Sequence, residues 1–337
     1  MSVSPFFLGS EVGARILSSA NAEPHSVQSP EESTSIFHFE TDEFWLNLHH
    51  FLYVLGRAEM DSKNATFELA GNAPRDAKRG LSTLTTKEQE TWRRAVTFYA
   101  NGPSREDPIS NAPLAKLVES LAHAGNAATL DGVEGDPGVL LVLEQAAPAY
   151  RRSWWEGQHG ANQLRRDELQ KLVDLHGSTI LAYITKAYRM DWPAAGFTVH
   201  FSGYSNWAGA YSTTLSHILV VSSLDDGNAG TNGLEIIFHE SMHQWDDQVN
   251  KLLRERAQAL QLRIPPGLSH AMIFYTAGEA VHAAIPAHIT IGDQGIWSRG
   301  LGTLKPALDD AWKPYLDGKG SLDDALTALI KRCNSKP

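Results

Sequence analysis

Leu234-Glu235-Ile236-Ile237-Phe238-His239-Glu240-Ser241-Met242-His243-Gln244-Trp245 is the stretch on which the reading of the chain turns. At about 100° per residue its two histidines fall about 40° apart on one helix face, one turn above each other, where they can share one metal ion. Leu234, Ile237, Phe238 and Trp245 fall on the opposite arc, with Met242 at its edge. Burying that apolar stripe turns both imidazoles towards a cleft. Glu240 lies to one side of the pair, placed to take a proton from an activated water without being a ligand itself.

A catalytic zinc takes three protein ligands and keeps one position open. The single cysteine, Cys333, excludes a thiolate cluster and an intrachain disulfide, so any metal is held by His and carboxylate. Position 249, six residues after His243, is Val, so a continuation of the motif by a third His there fails. A following antiparallel helix is the next source. Glu279 stands 36 residues after His243 in an otherwise apolar helical run, where an unpaired carboxylate is costly unless a cation neutralises it. Glu279 is therefore the expected third ligand, with His282 and His270 as competitors. Tyr275 and His282 fall within about 60° of Glu279 on that helix and are the expected oxyanion donors. Asp246 and Asp247, one turn after His243, are placed to orient a ligand imidazole through its other nitrogen.

Working outward, a loop at Gly227-Asn228-Ala229-Gly230 precedes this helix, with Thr231 or Asn232 as its cap. Before the loop, Phe197–Phe201 and Ser216–Ser222 carry alternating or clustered β-branched and apolar residues, the pattern of short strands. Upstream of about Trp192 the patterns are helical: an apolar stripe from Asp42 to Arg57, a capping box at Thr85 and Glu88, and runs over 112–124, 139–147 and 164–188. After the motif, Pro265-Pro266-Gly267 is a hinge before helices near 269–284, 306–315 and 321–333. His49 and His50 read as one core and one surface His. Trp154 and Trp155, with His159, read as packing between segments or as a cleft wall.

The length of 337 residues suits about two domains. A net charge of −10 with both signs dispersed speaks against nucleic acid as partner, and no apolar run approaches the roughly 18 residues that cross a bilayer. Residues 1–34 are rich in Ser, Pro and Glu and read as a flexible tail or leader remnant. Ala20-Asn21-Ala22 has the form of a signal cleavage site, but Glu11 and Arg15 interrupt the apolar region before it. Compartment stays open between export and cytoplasm, with a lean to export.

The His239-Glu240-x-x-His243 motif followed by Glu279 on a second helix resembles the gluzincin branch of zinc metallopeptidases, which includes thermolysin-like enzymes and zinc aminopeptidases. The resemblance covers roughly 196–284. The patterns along the chain predict a predominantly helical α+β fold with a helical domain over 35–192 and a catalytic domain over 193–337, and the resemblance implies that the latter is zincin-like, with a small sheet over the active-site helix. It also implies Zn²⁺ held by His239, His243 and Glu279, Glu240 as general base, and a peptide or protein substrate laid along the Ile218–Ser222 strand as an edge. The second helix lacks the Asn-Glu start of those relatives. The expected function is a zinc-dependent peptidase; the alternative is a catalytically silent zincin-like binding or scaffold protein.

Overall fold

The computed structural model describes residues 35–64, 74, 76–213 and 218–335. The expected tail at 1–34 and residues 216–217 of the expected strand lie outside them. The fold is mostly helical with one four-stranded sheet. In chain order its elements are β1 (Phe37–Glu40), α1 (Phe44–Asn64), α2 (Ala77–Leu81), α3 (Thr86–Asn101), α4 (Ala112–Ala124), α5 (Pro137–Tyr150) and α6 (Glu156–Tyr188). There follow β2 (Phe197–Ser202), β3 (Ala210–Ser212), β4 (Leu219–Ser222), α7 (Gly230–Met242), α8 (Asp246–Leu260), α9 (Leu268–Ala284), α10 (Lys305–Ala307), α11 (Lys313–Leu316) and α12 (Leu322–Asn334). No helix is long and apolar enough to cross a membrane among these residues.

The sheet order is β1-β2-β4-β3, with the first three strands parallel and β3 antiparallel to β4. β4 is therefore interior, and the edges are β1 and β3, not the expected Ile218–Ser222. β1, a strand of only four residues, is absent from the sequence reading. Period-two alternation sends Val199, Phe201, Leu219 and Val221 into a core shared with α6, α7, α9 and α12. Tyr211 and Val220 enter a second core built by α1, α3, α4 and α5. Both sheet faces are thus covered by helices, as parallel strands require. The described residues from 35 to 335 belong to one compact unit.

A buried polar seam ties α1 to the sheet. The Asn47 amide donates to the Phe201 carbonyl at 3.2 Å and accepts from the Gly203 N–H at 2.8 Å, and Asn162 of α6 donates to Asn47 Oδ1 at 3.1 Å. The capping box at Thr85 and Glu88 forms as expected. α7 begins earlier than expected, at Gly230, and has no side-chain cap of its own; the Glu168 carboxylate of α6 accepts the Gly230 N–H at 3.0 Å instead. Trp154 stacks on Trp92 with ring centroids 4.4 Å apart, and Trp155 stacks on His159 at 4.9 Å, so these aromatics are packing.

His49 and His50 are both buried, which corrects the expectation of one core and one surface residue. His49 Nδ1 pairs with the Tyr99 hydroxyl at 3.0 Å and His50 Nε2 with Tyr211 at 2.8 Å. Burial pushes His49 down to about 4. The unfolded chain then takes up this proton more readily than the folded one between pH 6.5 and 4. Stability from His49 is present above pH 6.5 and lost as pH falls towards 4. Urea titrations should show His49→Gln losing about 2–3 kcal/mol less than the parent between pH 7 and 4.5. Equal losses in the two proteins would contradict a neutral buried His49.

Candidate metal centre

The stripe on α7 behaves as its wheel predicts: Leu234, Ile237, Phe238, Met242 and Trp245 are all buried in the core. His239 and His243 emerge on the other side, with Nε2 atoms 3.3 Å apart. At His243 the helix tightens into a 3₁₀ turn, His243–Trp245, before α8 begins. Side chains three apart are eclipsed in such a turn, and Asp246 Oδ2 comes within 2.9 Å of His243 Nδ1. With the Nδ1 proton committed to Asp246, Nε2 presents its lone pair.

The third nitrogen comes from α9. His270 Nε2 stands 3.3 Å from His239 Nε2, and the three imidazoles offer ligand atoms all within 4.8 Å of one another. Two nitrogens bound to one tetrahedral zinc at about 2.0–2.1 Å lie about 3.3 Å apart, so the donor set fits zinc. Its chemistry fits as well. Burial holds His239 well below its usual range, aided by the neighbouring His243 and His270, and burial brings His270 down to about 4. Burial also opposes the protonation of His243, but the bond to Asp246 and the charges of Glu240 and Asp246 outweigh it and raise its pKa.

Glu240 lies beside this cluster. Its Oε2 accepts the Ser212 hydroxyl at 3.0 Å and the carboxylate also accepts the Ser212 N–H, while Oε1 stands 4.0 Å from His239 Nε2. Burial raises its pKa against the opposing pull of His243 and Ser212. The rings open into a cavity of about 460 Å³ whose wall includes Trp207, Ala210, Ile236, Phe274 and Leu301. Phe274 packs edge-on against His239, with centroids 5.2 Å apart.

The expected grouping with Glu279 is corrected. Glu279 is nine residues after His270, which on a helix is about 180° away, and its carboxylate pairs with Lys313 Nζ at 3.3 Å. Tyr275 and His282 share that far side of α9. The Tyr275 hydroxyl donates to Asp309 at 2.8 Å, and His282 Nδ1 pairs with the His288 carbonyl at 2.8 Å. The wheel rightly grouped Tyr275 with Glu279 but took the wrong face towards α7. His270, the competitor in the sequence, takes the place expected of Glu279. Its one sequence signal is its position in the first turn after Pro265-Pro266-Gly267, with Phe274 one turn on. Ser212, which holds Glu240 from the edge strand, had none.

Compared with known protein families, curated proteins and solved structures, the chain matches none, so the geometry of the site carries the functional argument. Zinc titration against a chelator should show His270→Ala weakening the metal by orders of magnitude and Asp246→Asn by about 10–100-fold. Glu279→Ala should bind zinc like the parent and lose under about 1 kcal/mol of stability, because it breaks only a partly exposed ion pair. Loss of zinc from Glu279→Ala with retention by His270→Ala would reverse the assignment.

Proposed function

We propose that the chain is a zinc-dependent hydrolase acting on peptide bonds, with His239, His243 and His270 as metal ligands and Glu240 as general base. The observation that carries the reading is the convergence of three imidazole Nε2 atoms at ligand spacing beside a buried carboxylate held by Ser212. When bound, zinc supplies a Lewis acid that brings the pKa of a water molecule towards neutrality and polarises a carbonyl. The remaining steps belong to the protein. Ser212 occupies Oε2 of Glu240, leaving Oε1 on the His239 side to take the proton of the attacking water. The raised pKa of Glu240 brings it nearer to working pH, where a general base is most effective. As the carbonyl carbon gains the water oxygen and the C–N bond breaks, the same carboxyl returns the proton to the leaving nitrogen.

Peptides are favoured as substrate by the edge strand. β3 borders the apolar cavity through Ala210 and Ser212 and, among the described residues, has no strand on its outer side, so an extended chain can add alongside it. Glu240→Gln keeps the shape and the metal and removes the base. In a screen of zinc-loaded protein against a mixed peptide library, the parent should cleave and Glu240→Gln should be slower by about 10²–10⁴-fold with full zinc content. A parent that binds zinc and cleaves nothing would favour a binding or scaffold role. Equal rates in the two proteins would remove Glu240 from the mechanism.

A further inference from the structure

The cavity of about 460 Å³ beside the imidazole cluster has two ends of different chemistry. Its direction is set by the elements around it. The Asn228 amide, just before α7, donates to the Gly209 carbonyl at 2.9 Å, and Ser212 reaches Glu240 at 3.0 Å, so β3 runs beside α7 in the same direction. α9 runs the other way, with His270 against His239 and Gly278 against Glu235. Asp246, Asn250 and Ser269 line the cavity where α8 and the start of α9 bring them beside His243 and His270, which makes that end polar. Towards the start of α7 the wall is Trp207, Ala208, Ile236 and Ile291. Glu235, at the same level, is fully buried: its Oε2 faces the His288 imidazole and the Ile291 N–H, and its Oε1 lies against Gly278.

Large apolar side chains brought together from distant parts of a chain ordinarily close over one another. Here they do not. Ile109, Trp207, Ile236, Phe274 and Leu301 come from five separate segments, converge on this cavity and are each only half-buried. A concave apolar wall with a few polar groups at one end is the form of a site that takes an apolar group and orients it. The wall is also fixed in place. The Phe274 ring packs edge-on against His239 at 5.2 Å and against Trp297 at 5.4 Å between centroids. Ile236 stands three residues before His239, about 4.5 Å of helix rise, so the apolar end begins within one side chain's reach of the cluster.

We propose that this end of the cavity takes a bulky apolar side chain of the substrate, on the residue directly flanking the scissile bond, with Trp207, Ile236 and Phe274 as the specificity-determining residues. The inference rests on the peptidase reading of the metal centre. A peptide added along β3 passes the cluster at Ser212 and the apolar wall at Ala210, two strand residues or about 7 Å back, which is the reach of a Leu or Phe side chain from a residue at the cleaved bond. Since β3 runs towards the cluster, antiparallel addition puts that residue after the bond and parallel addition puts it before. The preference therefore falls on one flank only. A charged side chain would lose its water there and gain no partner, because Glu235 is already committed to His288 and Ile291.

The test is a set of peptides in which Phe, Leu, Ala, Lys or Glu is scanned over the positions on either side of the cleaved bond. The zinc-loaded parent should show kcat/KM about 10–100-fold higher for Phe or Leu than for Ala at one flanking position, with Lys and Glu below Ala. Ala208→Leu, at an exposed position of the wall, should fill the pocket and bring the Phe-to-Ala ratio to within about 3-fold, and Ile236→Ala should enlarge it and move the preference from Leu towards Phe. In parallel, inhibitor titrations compare acetohydroxamic acid with phenylpropanohydroxamic acid, which share the zinc-binding group and differ in the aromatic ring. The aromatic compound should bind the parent at least about 10-fold tighter, and Ala208→Leu should lose that advantage. Cleavage with equal kcat/KM for Phe, Leu and Ala at both flanking positions would overturn the proposal whatever the hydroxamates show. If no peptide is cleaved the peptidase reading falls, and the hydroxamates then decide: a preference for the aromatic compound that Ala208→Leu abolishes supports the apolar pocket, and equal affinities overturn it.

Discussion

The crossing of α9 over α7 is the contact on which the site depends, because His239 and His243 supply two nitrogens from one helix and the third must arrive from another. The two helices come close along a face where α9 presents Gly278. A Cβ there would meet Thr290 at 2.9 Å and Glu235 Oε1 at 3.2 Å. Ala277 and Val281 on neighbouring turns are buried, so small and β-branched side chains set the separation. Glu235, one turn before His239, then pins the segment that follows α9. Its Oε2 accepts the Ile291 N–H at 3.0 Å and meets His288 Nε2 at 2.6 Å, while His288 Nδ1 pairs with Thr231 at 2.8 Å. Burial raises the Glu235 carboxyl despite these partners, a cost borne inside the scaffold that holds His270 in place.

Electrostatics and packing work together at the cluster. Burial, with the neighbouring imidazoles, keeps His239 and His270 neutral where exposed imidazoles would begin to charge. Asp246 biases His243 through the far nitrogen, and Ser212 fixes Glu240 from the sheet. Each group is held by a regular element, α7, α9, the start of α8 or β3, and sites carried by such elements hold their geometry better than sites on loops. The helical layer of α1 to α5 is not remote from this arrangement. It covers the second face of the sheet, where Tyr211 of β3, the strand that carries Ser212, enters its core.

What was legible in the sequence was what local spacing determines. The amphipathic stripe of α7, the pairing of His239 with His243, the lateral placement of Glu240 and the cap at Thr85 all follow from a period of about 3.6 residues. The predominantly helical α+β class followed from the change of period after Pro193. β1 was not legible, since four residues beside a long tail offer too little pattern, and its partner β2 lies 160 residues away by register. The third nitrogen was not legible for a different reason. Which face of α9 meets α7 is decided by close packing between helices, and an apolar helix with His270, Glu279 and His282 on different arcs leaves that choice open. An isolated Glu279 in an apolar run calls for a cation, and Lys313, from a segment 34 residues further on, meets that need instead of a metal.

The central claim is that three imidazoles of this chain, and no carboxylate, hold one zinc ion. X-ray absorption at the zinc edge of the loaded protein measures it directly. The account predicts one zinc per chain with a first shell of nitrogen and oxygen at about 2.0–2.1 Å and multiple scattering that fits three imidazoles, falling to two in His270→Ala. A spectrum fitted by two imidazoles in the parent, unchanged by His270→Ala and altered by Glu279→Ala, would contradict it.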